Sequence, residues 1–193
     1  MDLILASGSQ IRHAMLAAAG IVHRVVRPDV DEGSVKRQLD TARDIAGELA
    51  AAKAFAVSQK HPEAWVIGSD SIVEVAGTLF DKPSSREQAA DHLRKFSGET
   101  MYLTSAVSLA RGGVVDWRHV ETAELDVRSL SDDFIAGYLE AEWPEVGYCV
   151  GVFRMEARGV QLFSAIRGDH FTILGVPLLP LLASLRDRSV IPS

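Results

Sequence analysis

The sequence predicts an α+β fold with a mixed β-sheet. Strand-like and helix-like segments alternate along the chain with no long linker and no internal repeat. They do not follow a regular βαβ repetition, and Tyr102 to Val127 reads as strand throughout, broken only by a Gly112-Gly113 turn. The composition, 47% hydrophobic and 24% charged over 193 residues, is that of a globular chain long enough to bury a real core.

Leu3 to Ala6 is a short buried strand, followed by the polar turn Ser7-Gly8-Ser9. Ser9 is placed to cap an alanine-rich helix, Ile11 to Ala19, which stops at Gly20. Ile21 to Val26 reads as a second strand and Asp29 to Asp40 as a polar, acidic connection. Thr41 and Asp44 have capping-box spacing before a helix whose Ile45, Leu49, Ala52 and Ala56 form one apolar face. Trp65 to Asp70 is a strand that ends in polar residues, and Ile72 to Val75 resumes the apolar character. Ser84 and Glu87 repeat the capping spacing ahead of a helix with Ala89, Leu93 and Phe96 on its buried face, ended by Ser97-Gly98. After the central strands, in which Ala123, Leu125 and Val127 alternate with charged residues, a short helix runs from Ser131 to Leu139. Tyr148 to Met155 and Gly159 to Ser164 read as strands, and a last helix covers Pro177 to Leu185.

A net charge of −6, with no Lys/Arg-rich run, argues against nucleic acid as a partner, because phosphate neutralisation supplies most of that affinity. A small anion needs only a few cations converging at one place. The single cysteine, Cys149, excludes an internal disulfide framework and fits a reducing compartment. The opening segment lacks the basic region of a signal peptide. The most apolar stretch, Phe171 to Leu185, is short for a bilayer and carries Pro177 and Pro180, so it reads as core. The expectation is one cytoplasmic domain over residues 1–193, with no membrane partner.

Neither G-x-x-x-x-G-K-[ST] nor G-x-G-x-x-G occurs, and there is no Cys-x-x-Cys, His-x-x-x-His or G-x-S-x-G. What remains are polar and cationic residues at element ends. Ser7-Gly8-Ser9-Gln10-Ile11-Arg12 joins a strand to a helix N-terminus, where exposed N–H groups, hydroxyls and a guanidinium can grip phosphate. Plain capping by Ser9 with a solvated Arg12 is the alternative. Asp70 stands where an apolar strand turns polar, and can bind a metal, orient a water or simply cap a turn. Lys53, after the alanine-rich run, and Lys82, before Pro83, can each reach an anion or lie in solvent, and Asp31-Glu32 can help hold a metal or be solvated. Met101, Tyr102 and Trp117 read as strand packing.

In order, these segments resemble the Maf family of nucleoside triphosphate pyrophosphatases nearly end to end. The family's strand followed by Ser-x-Ser-x-x-Arg is similar to Leu3 to Arg12, and its Asp-Glu loop to Val30-Asp31-Glu32. Its Lys-Ala step resembles Lys53-Ala54, its Gly-[AS]-Asp strand end Gly68-Ser69-Asp70, and its Lys-Pro step Lys82-Pro83. Leu93 to Gly98 and Gly175-Val176-Pro177-Leu178 match two further steps. The resemblance implies an elongated mixed sheet flanked by helices, in two lobes around a cleft, similar to inosine triphosphatases. It implies water attack on an α-phosphorus, with Asp70 as proton acceptor and Ser7, Ser9, Arg12, Lys53 and Lys82 holding the triphosphate. A carboxylate is a weak base at neutral pH, so the expected cofactor is Mg²⁺ or Mn²⁺, with Asp70 as a metal ligand. A homodimer is compatible with the sequence.

The family separates substrates partly at three positions, here Ile11, Ser71 and Glu156. Arg, Thr and Gln there mark the dTTP/UTP branch, and Trp, Gln and Glu the 7-methyl-GTP branch; Ile, Ser and Glu match neither. A carboxylate only accepts hydrogen bonds, which suits guanine's adjacent N–H donors better than the single N–H of uracil or thymine. Glu156 therefore leans the expectation towards a guanine-type base and a role in clearing modified nucleotides. The unusual Ala157 is tolerated if its backbone is extended and strained if its φ is positive. A dTTP/UTP-specific enzyme and a non-catalytic, nucleotide-binding regulator of septum formation are the competing readings.

Overall fold

The computed structural model describes residues 2–192 and contains seven helices and a seven-stranded mixed sheet among them. The strands are β1 (Leu3–Ala6), β2 (Arg24–Val25), β3 (Trp65–Val75), β4 (Thr78–Phe80), β5 (Thr100–Arg111), β6 (Val114–Val127) and β7 (Phe163–Arg167). Their order is β2-β1-β3-β5-β6-β7, with β4 paired to β3 off this path. β1 runs parallel to β2 and β3, whereas β4 and β7 pair antiparallel with β3 and β6. The helices are α1 (Gln10–Ala18), α2 (Glu32–Gln38), α3 (Ala42–Lys60), α4 (Arg86–Phe96), α5 (Asp132–Glu142), α6 (His170–Ile173) and α7 (Leu178–Asp187). None is long and apolar enough to cross a membrane.

The chain divides into two compact units, one of residues 1–71, 104–121 and 169–193, the other of 72–103 and 122–168. In the first unit β1 is buried on both faces. Leu3 and Leu5 pack with Met15 and Leu16 of α1 and Leu181 and Leu185 of α7, while Ile4 and Ala6 pack with Ala54 and Val57 of α3. This follows from the two-residue alternation of strand side chains between helices on either side. The α3 side is built from small residues, so that helix lies close against the strands. Gly68 shows how close: a Cβ there would stand 2.1 Å from the Ala50 carbonyl oxygen and 2.6 Å from the Ala54 nitrogen.

The second unit buries Ala89, Leu93 and Phe96 of α4 and Ile135, Tyr138 and Leu139 of α5, with the Phe80 and Phe96 rings edge to face at 4.8 Å.

The structure corrects several sequence expectations. Asp29 to Asp40 is not an uninterrupted connection, since α2 occupies its middle, capped by the Asp31 carboxylate accepting from the Ser34 N–H. This helix buries no residue, so it carries no apolar periodicity to read. Lys53 lies inside α3 rather than after a helix. The cap of α4 is Ser85, accepting from Gln88 N–H, while Ser84 bonds the Gln88 side chain instead.

Tyr148 to Met155 forms no strand, and of Gly159 to Ser164 only Phe163 and Ser164 do. Short 3₁₀ turns at 145–148 and 158–162 and an irregular loop between them take their place. Here Val152 and Phe153 are apolar because they point into the core, not because they alternate along a strand. The chain doubles back so tightly that a Cβ on Gly159 would meet the Arg154 carbonyl oxygen at 2.5 Å. Ala157 has φ −131°, so the methyl group there carries no left-handed strain.

Candidate active site

Strand alternation decides what surrounds Asp70. Val66 packs among the residues on the α3 side of β3, Gly68 touches α3, and Asp70, two residues on, meets the same helix through Lys53. The Lys53 ammonium donates to Asp70 Oδ1 at 2.5 Å and pairs with Glu32 Oε1 at 2.7 Å. Lys53 and Asp70 are buried, 7% and 8% exposed, so the ammonium has exchanged water for two carboxylates. A buried charge persists only when paired in this way. Glu32, half-exposed at the start of α2, therefore stands beside Asp70, and its pairing with Lys53 is what the sequence did not disclose.

Ser69 and Ser71 point to the opposite face and meet α1 and the loop after α6. The Arg12 fork fastens this region together. Its Nε donates to the Gly175 carbonyl at 3.0 Å, its Nη1 to the Ser69 carbonyl at 3.0 Å and to Ser7 Oγ at 3.4 Å, and its Nη2 to Ser71 Oγ at 2.9 Å. Ser69 Oγ also donates to the Gly175 carbonyl, at 2.8 Å. Gly175 has φ +102°, a conformation that favours glycine, and a Cβ there would stand 3.2 Å from Arg12 Nε.

Behind Ser71 a line of hydroxyls has a fixed direction. Ser105 Oγ donates to the Thr172 carbonyl at 2.8 Å, so it accepts from the Ser71 hydroxyl, also at 2.8 Å, leaving Ser71 Oγ to accept from Arg12. Ser105 escaped sequence reading, although a serine inside an apolar strand is itself the signal. Its burial is complete.

Ser9 caps α1 through its hydroxyl, accepting from Arg12 N–H at 3.4 Å, and Ser7 Oγ accepts from Ser9 N–H at 3.1 Å. The two serines thus organise the N-terminal turn of α1, which also carries the half-buried Ile11. The structure joins Ser7, Ser9, Arg12 and Ser71 by hydrogen bonds on one face of β3 and pairs Lys53 with Asp70 on the other, and Ile11 lies in the same first unit.

Lys82 and Glu156 belong to the second unit, where both are exposed. Both charges act on one thiol: burial and, next, the Glu156 carboxylate push Cys149 up to about 11, against the opposing pull of Lys82. At neutral pH Cys149 is a protonated thiol, unsuited to nucleophilic attack.

Among the described residues no three His, Cys, Asp or Glu side chains gather as a metal cage. The donor set nonetheless fits a magnesium-like ion, which takes one or two carboxylates and completes its shell with water and substrate phosphates. Asp70 and Glu32, converging on a single ammonium, are such a pair.

A family model described as Maf-like protein matches residues 2–188. The chain belongs to the Maf family. Among its relatives, a nucleoside triphosphate pyrophosphatase of Nitrobacter hamburgensis is 44% identical over 98% of this chain and 95% of its own. A 7-methyl-GTP pyrophosphatase of Rhizobium etli is also 44% identical, over 98% of this chain and 97% of its own. Among solved structures, the Staphylococcus aureus Ham1 protein is 16% identical, with a TM-score of 0.49 over 82% of this chain and 90% of that one. Of the segments that resemble the family's motifs, Ser7 to Arg12, Lys53-Ala54 and Gly68 to Asp70 lie in the first unit, and Lys82-Pro83 and Leu93 to Gly98 in the second.

Proposed function

We propose that this Maf protein hydrolyses nucleoside triphosphates to the monophosphate and pyrophosphate, with Asp70 as the proton acceptor. The observation that carries the reading is Asp70 itself. It is a buried carboxylate in the middle of β3, which runs on through it to Val75 instead of ending there, and it is held by the Lys53 ammonium, with its chain neighbours Ser69 and Ser71 fastened by Arg12. The relatives' names supply the substrate class, and the single family match over residues 2–188 supports one functional domain.

In this reading the N-terminal turn of α1, the Ser7 and Ser9 hydroxyls, Lys53 and Lys82 neutralise the triphosphate, and Arg12 adds charge while anchoring that turn to β3. Positioning and charge neutralisation are what phosphoryl transfer asks of a protein. Water attacks the α-phosphorus and the bond from that phosphorus to the α–β bridging oxygen breaks. Pyrophosphate leaves with the electron pair, and Asp70 takes the water's proton. Asp70, with Glu32 beside it, would hold a divalent cation, which when bound supplies charge neutralisation and a more acidic water. Removing divalent ions with a chelator should therefore abolish pyrophosphate release, and Mg²⁺ or Mn²⁺ should restore it. Full turnover in a metal-free sample would remove the cation from this account.

Glu156 carries the base preference. Exposed and able only to accept hydrogen bonds while ionised, it suits a guanine-type base, including 7-methyl-GTP. In a pyrophosphate-release panel the guanine nucleotides should outpace UTP and dTTP; the reverse order would overturn this assignment. The lone Cys149 and the acidic balance support a cytoplasmic enzyme acting on small nucleotides.

A further inference from the structure

The loop that carries Glu156 is held in a conformation its own residues disfavour. Val152 has φ +55°, the left-handed region, which is costly for a β-branched side chain. It is also fully buried. Such a turn persists only where the surroundings enforce it, and the enforcing group is visible. The Tyr138 hydroxyl, from α5, donates to the Val152 carbonyl at 3.0 Å. Burial first, and then the Glu142 carboxylate, push the Tyr138 phenol well up, so it stays a protonated donor at any working pH.

A second hold lies just beyond this turn. Arg154 Nε stands 3.5 Å from Glu142 Oε2, one helical turn after Tyr138 on α5, and neither atom has a hydrogen-bonding partner among the described residues. The Glu142 side chain is 7% exposed, so the charges must answer each other. Arg154 in turn fixes the approach to Glu156: its carbonyl accepts from the Ala157 N–H at 3.1 Å, and Gly159 folds against its backbone.

We propose that Tyr138, seconded by the Glu142–Arg154 pair, is a positioning residue that aims Glu156 and thereby sets the preference for a guanine-type base. The proposal rests on the reading of Glu156 as the base-recognising carboxylate. Tyr138 touches neither phosphate nor metal in this scheme, so its removal should loosen base recognition and leave the chemical step alone.

The test is steady-state kinetics with GTP and UTP on the Tyr138→Phe, Glu142→Gln, Glu156→Gln and Tyr138→Phe/Val152→Gly variants. Glu156→Gln should reduce the GTP-over-UTP ratio of kcat/KM by roughly tenfold, the loss of a hydrogen-bonded charge. Tyr138→Phe should reduce it by roughly 3- to 10-fold, the range of one hydrogen bond. That loss should appear in the KM for GTP, with kcat and the UTP constants unchanged. Adding Val152→Gly should restore much of the ratio, because glycine takes φ +55° without enforcement. Glu142→Gln should reproduce the KM effect even if Tyr138→Phe folds poorly. If Glu156→Gln shifts the ratio but neither Tyr138→Phe nor Glu142→Gln does, the positioning role is wrong and the Glu156 reading stands. Equal losses for GTP and UTP, or no rescue by Val152→Gly, would also overturn it. If Glu156→Gln leaves the ratio unchanged, the Glu156 reading itself is wrong and the proposal goes with it.

Discussion

Asp70→Asn should lower kcat by about 10²- to 10⁴-fold, the usual contribution of a positioned general base, while nucleotide affinity stays within a few-fold of wild type. Asparagine keeps the shape of the side chain, and its carbonyl oxygen can still accept from Lys53, but it cannot take a proton from water. Glu32 remains to pair the Lys53 ammonium, so that buried charge is not stranded. Losing one negative charge beside a triphosphate offsets the weaker hold on the cation, for which Glu32 and the phosphates remain. The measurement is pyrophosphate release alongside calorimetric binding of a non-hydrolysable triphosphate. Turnover within threefold of wild type would refute Asp70 as the base. Retained binding with abolished turnover also separates an enzyme from a nucleotide-binding regulator, which has no turnover to lose.

Gly68→Ala should be among the most damaging single-methyl additions in the protein. The new Cβ would overlap the Ala50 carbonyl oxygen at 2.1 Å and the Ala54 backbone nitrogen at 2.6 Å. Both belong to the backbone of α3, which no side-chain rotation can move aside. Either α3 or β3 must shift, at a cost at or above the roughly 3 kcal/mol upper range of ordinary overpacking. For a chain of this size that corresponds to a fall in Tm of about 6–12 °C. The same shift separates Lys53 on α3 from Asp70 on β3, two residues beyond Gly68. A misplacement of about 1 Å at a catalytic group can cost ~10²-fold in rate, so activity measured well below the melting transition should fall too. A variant with unchanged Tm and turnover would contradict the close approach of helix and strand.

Several parts of the site were legible because they depend on local chemistry. Ser9 capping α1 and Thr41 capping α3 each follow from residues a few positions apart, whereas β3 runs through Asp70 to Val75 although its polar residues read as a strand end. Lys53 lies within α3 and not after it, because an alanine-rich run gives little sign of where a helix stops. Segment 148–162 was misread for a different reason. Its Val and Phe residues satisfy strand preferences, yet their positions are set by a turn in which Tyr138 bonds the Val152 carbonyl and Arg154 pairs with Glu142, both on α5. In the sequence Glu32 reads equally as a metal ligand or a solvated residue, since an acidic residue looks the same whether or not a buried ammonium lies beside it.

The sequence by itself determined the family, the mixed α+β character and the residue types of the site, because ordered short motifs and apolar periodicity are written along the chain. Only the tertiary structure decided which of those residues work together. It set Asp70 on the α3 side of β3, facing Lys53 and Glu32, and turned Ser69 and Ser71 to the side that Arg12 fastens. The physical reason is strand alternation combined with burial. Consecutive residues of β3 look in opposite directions, and which buried partner each one meets depends on helices tens of residues away.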